Sequence, residues 1–144
     1  MSNVLFSGQD QERIVTAISN AELLTSGEIR VHVEGKCPGD PVEKAFKVFR
    51  KLGMHQTAER NGVLFYIATE HRKLAIVGDE GIHQKVPSHF WDDIKEQMVA
   101  DFKGEGYTEG LVKGIQHAGA QLGLHFPRKE DDTDELSNEV TFEK

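Results

Sequence analysis

Cysteine and positive charge are what this chain has least of. One cysteine in 144 residues, Cys37, leaves no second thiol for an internal disulfide and excludes a Cys-rich zinc site. Lys and Arg number 17 against 24 Asp and Glu, a formal net charge of −7. That balance argues against a general nucleic-acid binder, which needs a broad basic face for phosphates. It also disfavours an anionic membrane surface, while metal cations and basic partners stay open. Long apolar runs are missing as well, since none approaches the ~18 residues of a bilayer-spanning helix. The opening Met-Ser-Asn-Val-Leu-Phe has neither the basic nor the apolar region of a secretory signal. A cytoplasmic chain with no nucleic-acid and no membrane partner is therefore expected.

Several catalytic and metal motifs are lacking too. The seven histidines show no His-Glu-x-x-His or other i, i+4 pair, so zinc is not indicated. Cys37 has Glu43 where a phosphatase-type thiolate would need an arginine. There is no phosphate loop and no Gly-x-Ser-x-Gly elbow. Without an activated nucleophile, catalysis would have to come from a metal-bound water.

What is present reads as one α/β domain over residues 1–127, followed by an acidic tail over 128–144. Ser7 and Asp10 have capping-box spacing, and Ile14, Ala17, Ile18, Ala21 and Leu24 mark the apolar face of a first helix ending near Gly27. Glu28 to Glu34 alternates, with Ile29, Val31 and Val33 on one side, which predicts a half-buried strand. Asp40-Pro41 opens a second helix with Ala45, Phe46, Val48, Phe49 and Leu52 inward. Strand, helix and then strand 63–69 make a βαβ unit with parallel strands. Strand 63–69 is apolar on both faces, hence central and covered on each side. Glu70-His71-Arg72-Lys73 reverses the chain into strand 73–78, an antiparallel hairpin.

Ser88 is expected to cap a third helix burying Phe90, Trp91, Ile94, Met98 and Phe102. Thr108 is expected to cap a fourth, with Tyr107 and Val112 as a hydrophobic staple and Leu111, Ile115, Ala118 and Leu122 as its core stripe. Gly110, Gly114, Gly119 and Gly123 in that helix suggest close approach to the sheet. The segment 128–144 holds seven acids against three bases and is expected to be mobile.

The hairpin carries a functional consequence. The start of its first strand lies beside the end of its second, so Asn61-Gly62 and Gly78-Asp79-Glu80-Gly81 should meet at one sheet rim. Asp79 and Glu80 are adjacent carboxylates between Gly78 and Gly81, the oxygen chemistry that hard divalent cations prefer. Asn61 and, as weaker candidates, Glu59 and Glu28 fall beside the same rim. Asp92 and Asp93 sit in the first turn of the third helix, where one complements the helix dipole and the other is placed to complete a ligand set. Arg60 is placed to pair with the acids or to hold a phosphate oxygen.

Four blocks give a family resemblance: Ser26-Gly27-Glu28-Ile29-Arg30-Val31, Arg60-Asn61-Gly62-Val63-Leu64, Gly78-Asp79-Glu80-Gly81-Ile82, and Asp101-Phe102-Lys103-Gly104-Glu105-Gly106-Tyr107-Thr108-Glu109-Gly110-Leu111. In this order they resemble the TPM domain, whose members include thylakoid acid phosphatase-like proteins. The resemblance implies a three-layer α/β/α sandwich with a small mixed, mainly parallel sheet including one antiparallel hairpin. It further implies a divalent-cation site and, in one branch, a phosphatase activity. Where the family often has Gly-Tyr-Gly-hydrophobic-Glu-Gly, this chain has Gly78-Asp79-Glu80-Gly81, which sets acids directly on the loop. The leading expectation is a divalent-cation module binding Ca2+, or else Mg2+ or another divalent ion, with a regulatory or binding role. A protein-interaction module and a metal-dependent phosphatase are the alternatives.

Overall fold

A computed structural model describes residues 6–87, 89–104, 106–128 and 140–143. Helix α1 (Gly8–Glu22) opens as its sequence requires: Ser7 accepts from the Asp10 amide while the Asp10 carboxylate accepts from the Ser7 amide. It buries Ile14, Ala17, Ile18 and Ala21. The helix stops at Glu22, five residues short of Gly27, so Leu24 leaves the apolar face and is 53% exposed.

Strand β1 (Glu28–Glu34) leads through a loop to α2 (Pro41–Lys51), capped by Asp40 with proline in its first turn. Strand β2 (Gly62–Ala68) pairs in parallel with β1 and antiparallel with β3 (Lys73–Gly78), as the βαβ and hairpin patterns require. A short helix α3 (Glu80–His83), which no sequence periodicity announced, follows at once. Then come α4 (Asp92–Lys103) and α5 (Tyr107–His125). The last described residues form β4 (Thr141–Glu143), parallel to β1, in a sheet of order β3-β2-β1-β4.

The sheet separates two cores. Ile29, Val31, Val33, Val63, Phe65 and Ile67 face α1, α4 and α5. Leu64, Tyr66, Ala68, Ala75 and Val77 face Ala45, Val48 and Phe49 of α2. The architecture is thus an α/β sandwich about a mixed sheet. Among the described residues no helix is long and apolar enough to cross a membrane.

Several expectations shift. Every residue of β1 is buried, its polar ones included, because β4 flanks the strand that alternation alone marks as half-buried. Buried polar groups persist where they are bonded: the His32 ring lies 2.7 Å from Thr141 Oγ1 and 3.2 Å from Glu34 Oε1, and Tyr66 donates its hydroxyl to Glu34. The tail therefore contributes a strand at 141–143. Helix α4 starts at Asp92 on Trp91 without a side-chain cap, and Ser88 lies outside the described residues. Helix α5 starts at Tyr107 on Gly106, which puts Thr108 inside its first turn and not at its cap. Tyr107 accordingly packs on the Phe102 ring, centroids 5.4 Å apart, rather than serving as the outer half of a staple.

Candidate functional site

The β2–β3 register sets Val63 opposite Gly78, which brings the two predicted segments together. The Asp79 amide donates to Gly62 O at 2.9 Å, and the Gly81 amide donates to Arg60 O at 2.9 Å. Asn61 O receives the Glu28 amide at 3.4 Å, and its buried side-chain amide donates to Ser26 Oγ at 3.2 Å. Asn61 thus fastens the starts of β1 and β2 to each other.

Gly81 is required by close approach. A Cβ there would stand 2.5 Å from Arg60 O and closer still to Glu59 O, so the 59–60 backbone crosses directly over it. Gly78 is packed by Ile82, whose Cδ1 would lie 3.1 Å from an added Cβ. Two roles that spacing did not separate are now distinct: Gly81 admits the crossing chain and Gly78 admits the α3 core residue.

Asp79 caps α3, its Oδ1 accepting from the Glu80 amide at 2.8 Å. The same carboxylate is gripped bidentately by Arg60, with Nε to Oδ2 at 2.7 Å and Nη2 to Oδ1 at 2.9 Å. The third guanidinium nitrogen, Nη1, lies 3.2 Å from Glu80 Oε1. Paired planar groups of this kind are among the stronger protein hydrogen bonds. The hydrogen bond to Asp79 holds the Arg60 pKa above its ordinary value, aided by the charges of Asp79 and Glu80 against some desolvation. Arg60 itself adopts φ 52°, a left-handed backbone uncommon for a residue with a side chain. Asp79 is only 6% exposed, whereas Glu80 stands mostly in solvent.

The remaining predicted ligands do not join this group. Asp92 and Asp93 are exposed in the first turn of α4, the position that complements a helix dipole. Glu59 contributes its carbonyl over Gly81, and Glu28 is buried at the start of β1. Among the described residues no three His, Cys, Asp or Glu side chains assemble into a metal-holding group. Calcium takes about six to eight oxygens, and one of the two negative charges here is already offset by an internal cation, Arg60. The rim does not fit a resident, fully protein-ligated metal.

A second polar cluster went unread in the sequence. Glu34, buried at the far end of β1, takes the Tyr66 hydroxyl and His32, with Lys44 Nζ at 3.8 Å. Burial, then the bond to Glu34, pushes the Tyr66 pKa well up. The available signal was the polar series Arg30, His32, Glu34 beside the single tyrosine of β2.

A family model described as the TPM domain matches residues 2–121. Among solved structures, the BA42 protein of the psychrophilic bacterium Bizionia argentinensis is 41% identical, with TM-score 0.90 over 96% of this chain and 95% of that one. The N-terminal domain of a P. gingivalis protein is similar in fold at 20% identity and TM-score 0.67, covering 88% and 83% of the two chains. The N-terminal domain of the cg2496 protein from Corynebacterium glutamicum is similar at 15% identity and TM-score 0.63, covering 92% and 81%. No curated protein sequence matches the chain.

Proposed function

The chain belongs to the TPM-domain family, and from that premise we propose that it is a non-catalytic binding module whose acidic rim exchanges Arg60 for a divalent cation, calcium before magnesium. One observation supports this reading above the others: two adjacent carboxylates on a glycine-flanked turn already hold a cation at the sheet rim. The Arg60 side chain is 42% exposed, so it can leave toward solvent without opening the core. Water would complete the shell of an incoming ion, which implies weak, exchangeable binding suited to sensing rather than to structure.

Calorimetric titration of the wild type, Arg60→Ala and Asp79→Ala with calcium and with magnesium tests it. Wild type binds calcium in the millimolar range, Arg60→Ala binds several-fold tighter because the internal competitor is gone, and Asp79→Ala does not bind. Absence of heat in both wild type and Arg60→Ala at millimolar calcium overturns the reading.

A metal-independent protein-interaction role is the second reading. It is favoured by Leu23, Leu24 and Leu124, each more than half exposed, with Leu24 packed beside Gly123.

A further inference from the structure

We infer that a cleft at the opposite end of the sheet, between α4 and the β2–β3 turn, binds a small amphipathic anion: an apolar body bearing a carboxylate or a phosphate. The cleft measures about 670 Å³, within the roughly 300–1,000 Å³ of small-molecule sites. It lies at the carboxyl ends of the parallel strands β1 and β2, the side on which open α/β sheets take ligands. Seven residues of β2, at about 3.3 Å each, separate it from the Arg60–Asp79 rim. The two sites share no lining residue.

Helical spacing builds one wall. Lys95, Val99, Phe102 and Lys103 stand at i, i+4, i+7 and i+8 of α4, hence on one face. Arg72 and Lys73 from the hairpin form the other wall, and Ile67 and Leu74 of the sheet line the apolar floor. Four cationic side chains thus converge on one cleft of a chain whose net charge is −7, and no carboxylate among the described residues lines it. Lys73 is fixed in place, its Nζ donating to Cys37 O and Gly39 O, each at 2.7 Å. Arg72, Lys95 and Lys103 are exposed, and among the described residues none is paired with an acid.

These observations select the ligand. Gathered like charges repel one another, and an anion relieves that repulsion while a cation adds to it. A bare inorganic anion would satisfy the cations at the mouth and leave the apolar lining of Ile67, Leu74, Val99 and Phe102 wet. An anionic head with an apolar body satisfies both, and the head meets Arg72, Lys95 and Lys103 at the mouth.

Amide NMR titration of the full chain with octanoate and with octyl phosphate tests the assignment, with octyltrimethylammonium and inorganic phosphate as controls. Saturable shifts are expected within 67–74 and 95–103 for at least one of the two amphiphilic anions, and which of them binds identifies the head as carboxylate or phosphate. Lys95→Gln/Lys103→Gln weakens binding about tenfold or more. Val99→Trp, which fills the cleft, abolishes it, and Asp79→Ala leaves it unchanged. Equal response to octyltrimethylammonium or to inorganic phosphate, shifts centred elsewhere, wild-type affinity in both cleft variants, or no saturation by either anion in the millimolar range overturns the inference.

Discussion

Tyr66 shows how one buried residue links the chemistry of a strand to the pH behaviour of the fold. Its ring is fully buried against α2, yet its hydroxyl is satisfied because Glu34 of the neighbouring parallel strand accepts it. Ionising the phenol there would place a second negative charge beside Glu34 in a site closed to water, so folding favours the neutral form and the folded pKa lies above the unfolded one. The sign follows from linkage: this stability is fully present below the unfolded value of about 10 and is lost as pH rises above it, since only the unfolded chain gives up the proton. The loss approaches about 1.4 kcal/mol per pH unit from this single group. In urea unfolding between neutral and strongly alkaline pH, Tyr66→Phe should show a shallower alkaline decline than wild type. Near neutrality it should be less stable by about 1–3 kcal/mol, because Glu34 loses a buried donor. Identical alkaline slopes in the two proteins would show that Tyr66 does not couple folding to pH.

At the scale of elements, α5 shows which parts of a sequence speak for themselves. Its core stripe of Leu111, Ile115, Ala118 and Leu122 is buried as its 3.6-residue period requires. Gly114 and Gly119 also mark close approach, but to neighbouring helices and not to the sheet: an added Cβ at Gly119 would lie 2.6 Å from Ala21 Cβ on α1, and one at Gly114 would lie 2.5 Å from Met98 Sδ on α4. Periodicity fixes which face is buried, while the identity of the covering element depends on contacts distant in sequence. The same distinction explains the site. Local pattern was enough to bring Asn61-Gly62 to Gly78-Gly81, because hairpin register is local. The pairing of Arg60 with the acids was legible too, from its place beside them, whereas its two-point grip on Asp79 depended on a left-handed turn. That Asp92 and Asp93 would stay apart depended on a short helix with no periodic signature. The caps expected at Ser88 and Thr108 follow preferred residue types, whereas α4 and α5 begin on Trp91 and Gly106, where tertiary packing outweighs capping preference. The glycines themselves can be ranked. Replacing Gly by Ala in a helix is worth about 1 kcal/mol in propensity, against about 1–3 kcal/mol for overpacking. At Gly119 the obstacle includes the Ala21 backbone, with Cα only 2.9 Å away, and cannot yield. At Gly114 it is a flexible thioether. Thermal denaturation should therefore place Gly119→Ala clearly below Gly114→Ala, and the reverse order would refute this account of the helix–helix contacts.

Across the whole molecule, the sheet has two chemically different ends and two unequal edges. The starts of β1 and β2 carry two carboxylates against one guanidinium, and their far ends carry a cationic cleft, so an overall charge of −7 conceals a polarity along the strands. The edges differ in what they protect. At one side β3 carries α2 on one face and α4 on the other, whereas at the other side the buried polar residues of β1 depend on the three-residue strand β4. Thr141 meets His32 and donates to Val31 O at 3.3 Å, while Phe142 and Val140 pack against the larger core. Removing β4 strips ladder bonds from β1, each worth about 1 kcal/mol, and uncovers an edge rich in β-branched residues with unpaired backbone groups. A chain ending at residue 139 should therefore be less stable by roughly 2–4 kcal/mol. In amide hydrogen exchange its loss of protection should fall on β1, at Val31 and Val33, while β2 and β3 remain as slow as the lowered global stability allows. Unchanged β1 protection in the shortened chain would mean that the strand is held by its parallel partner β2 alone, and that Thr141–Glu143 rests on the sheet without supporting it.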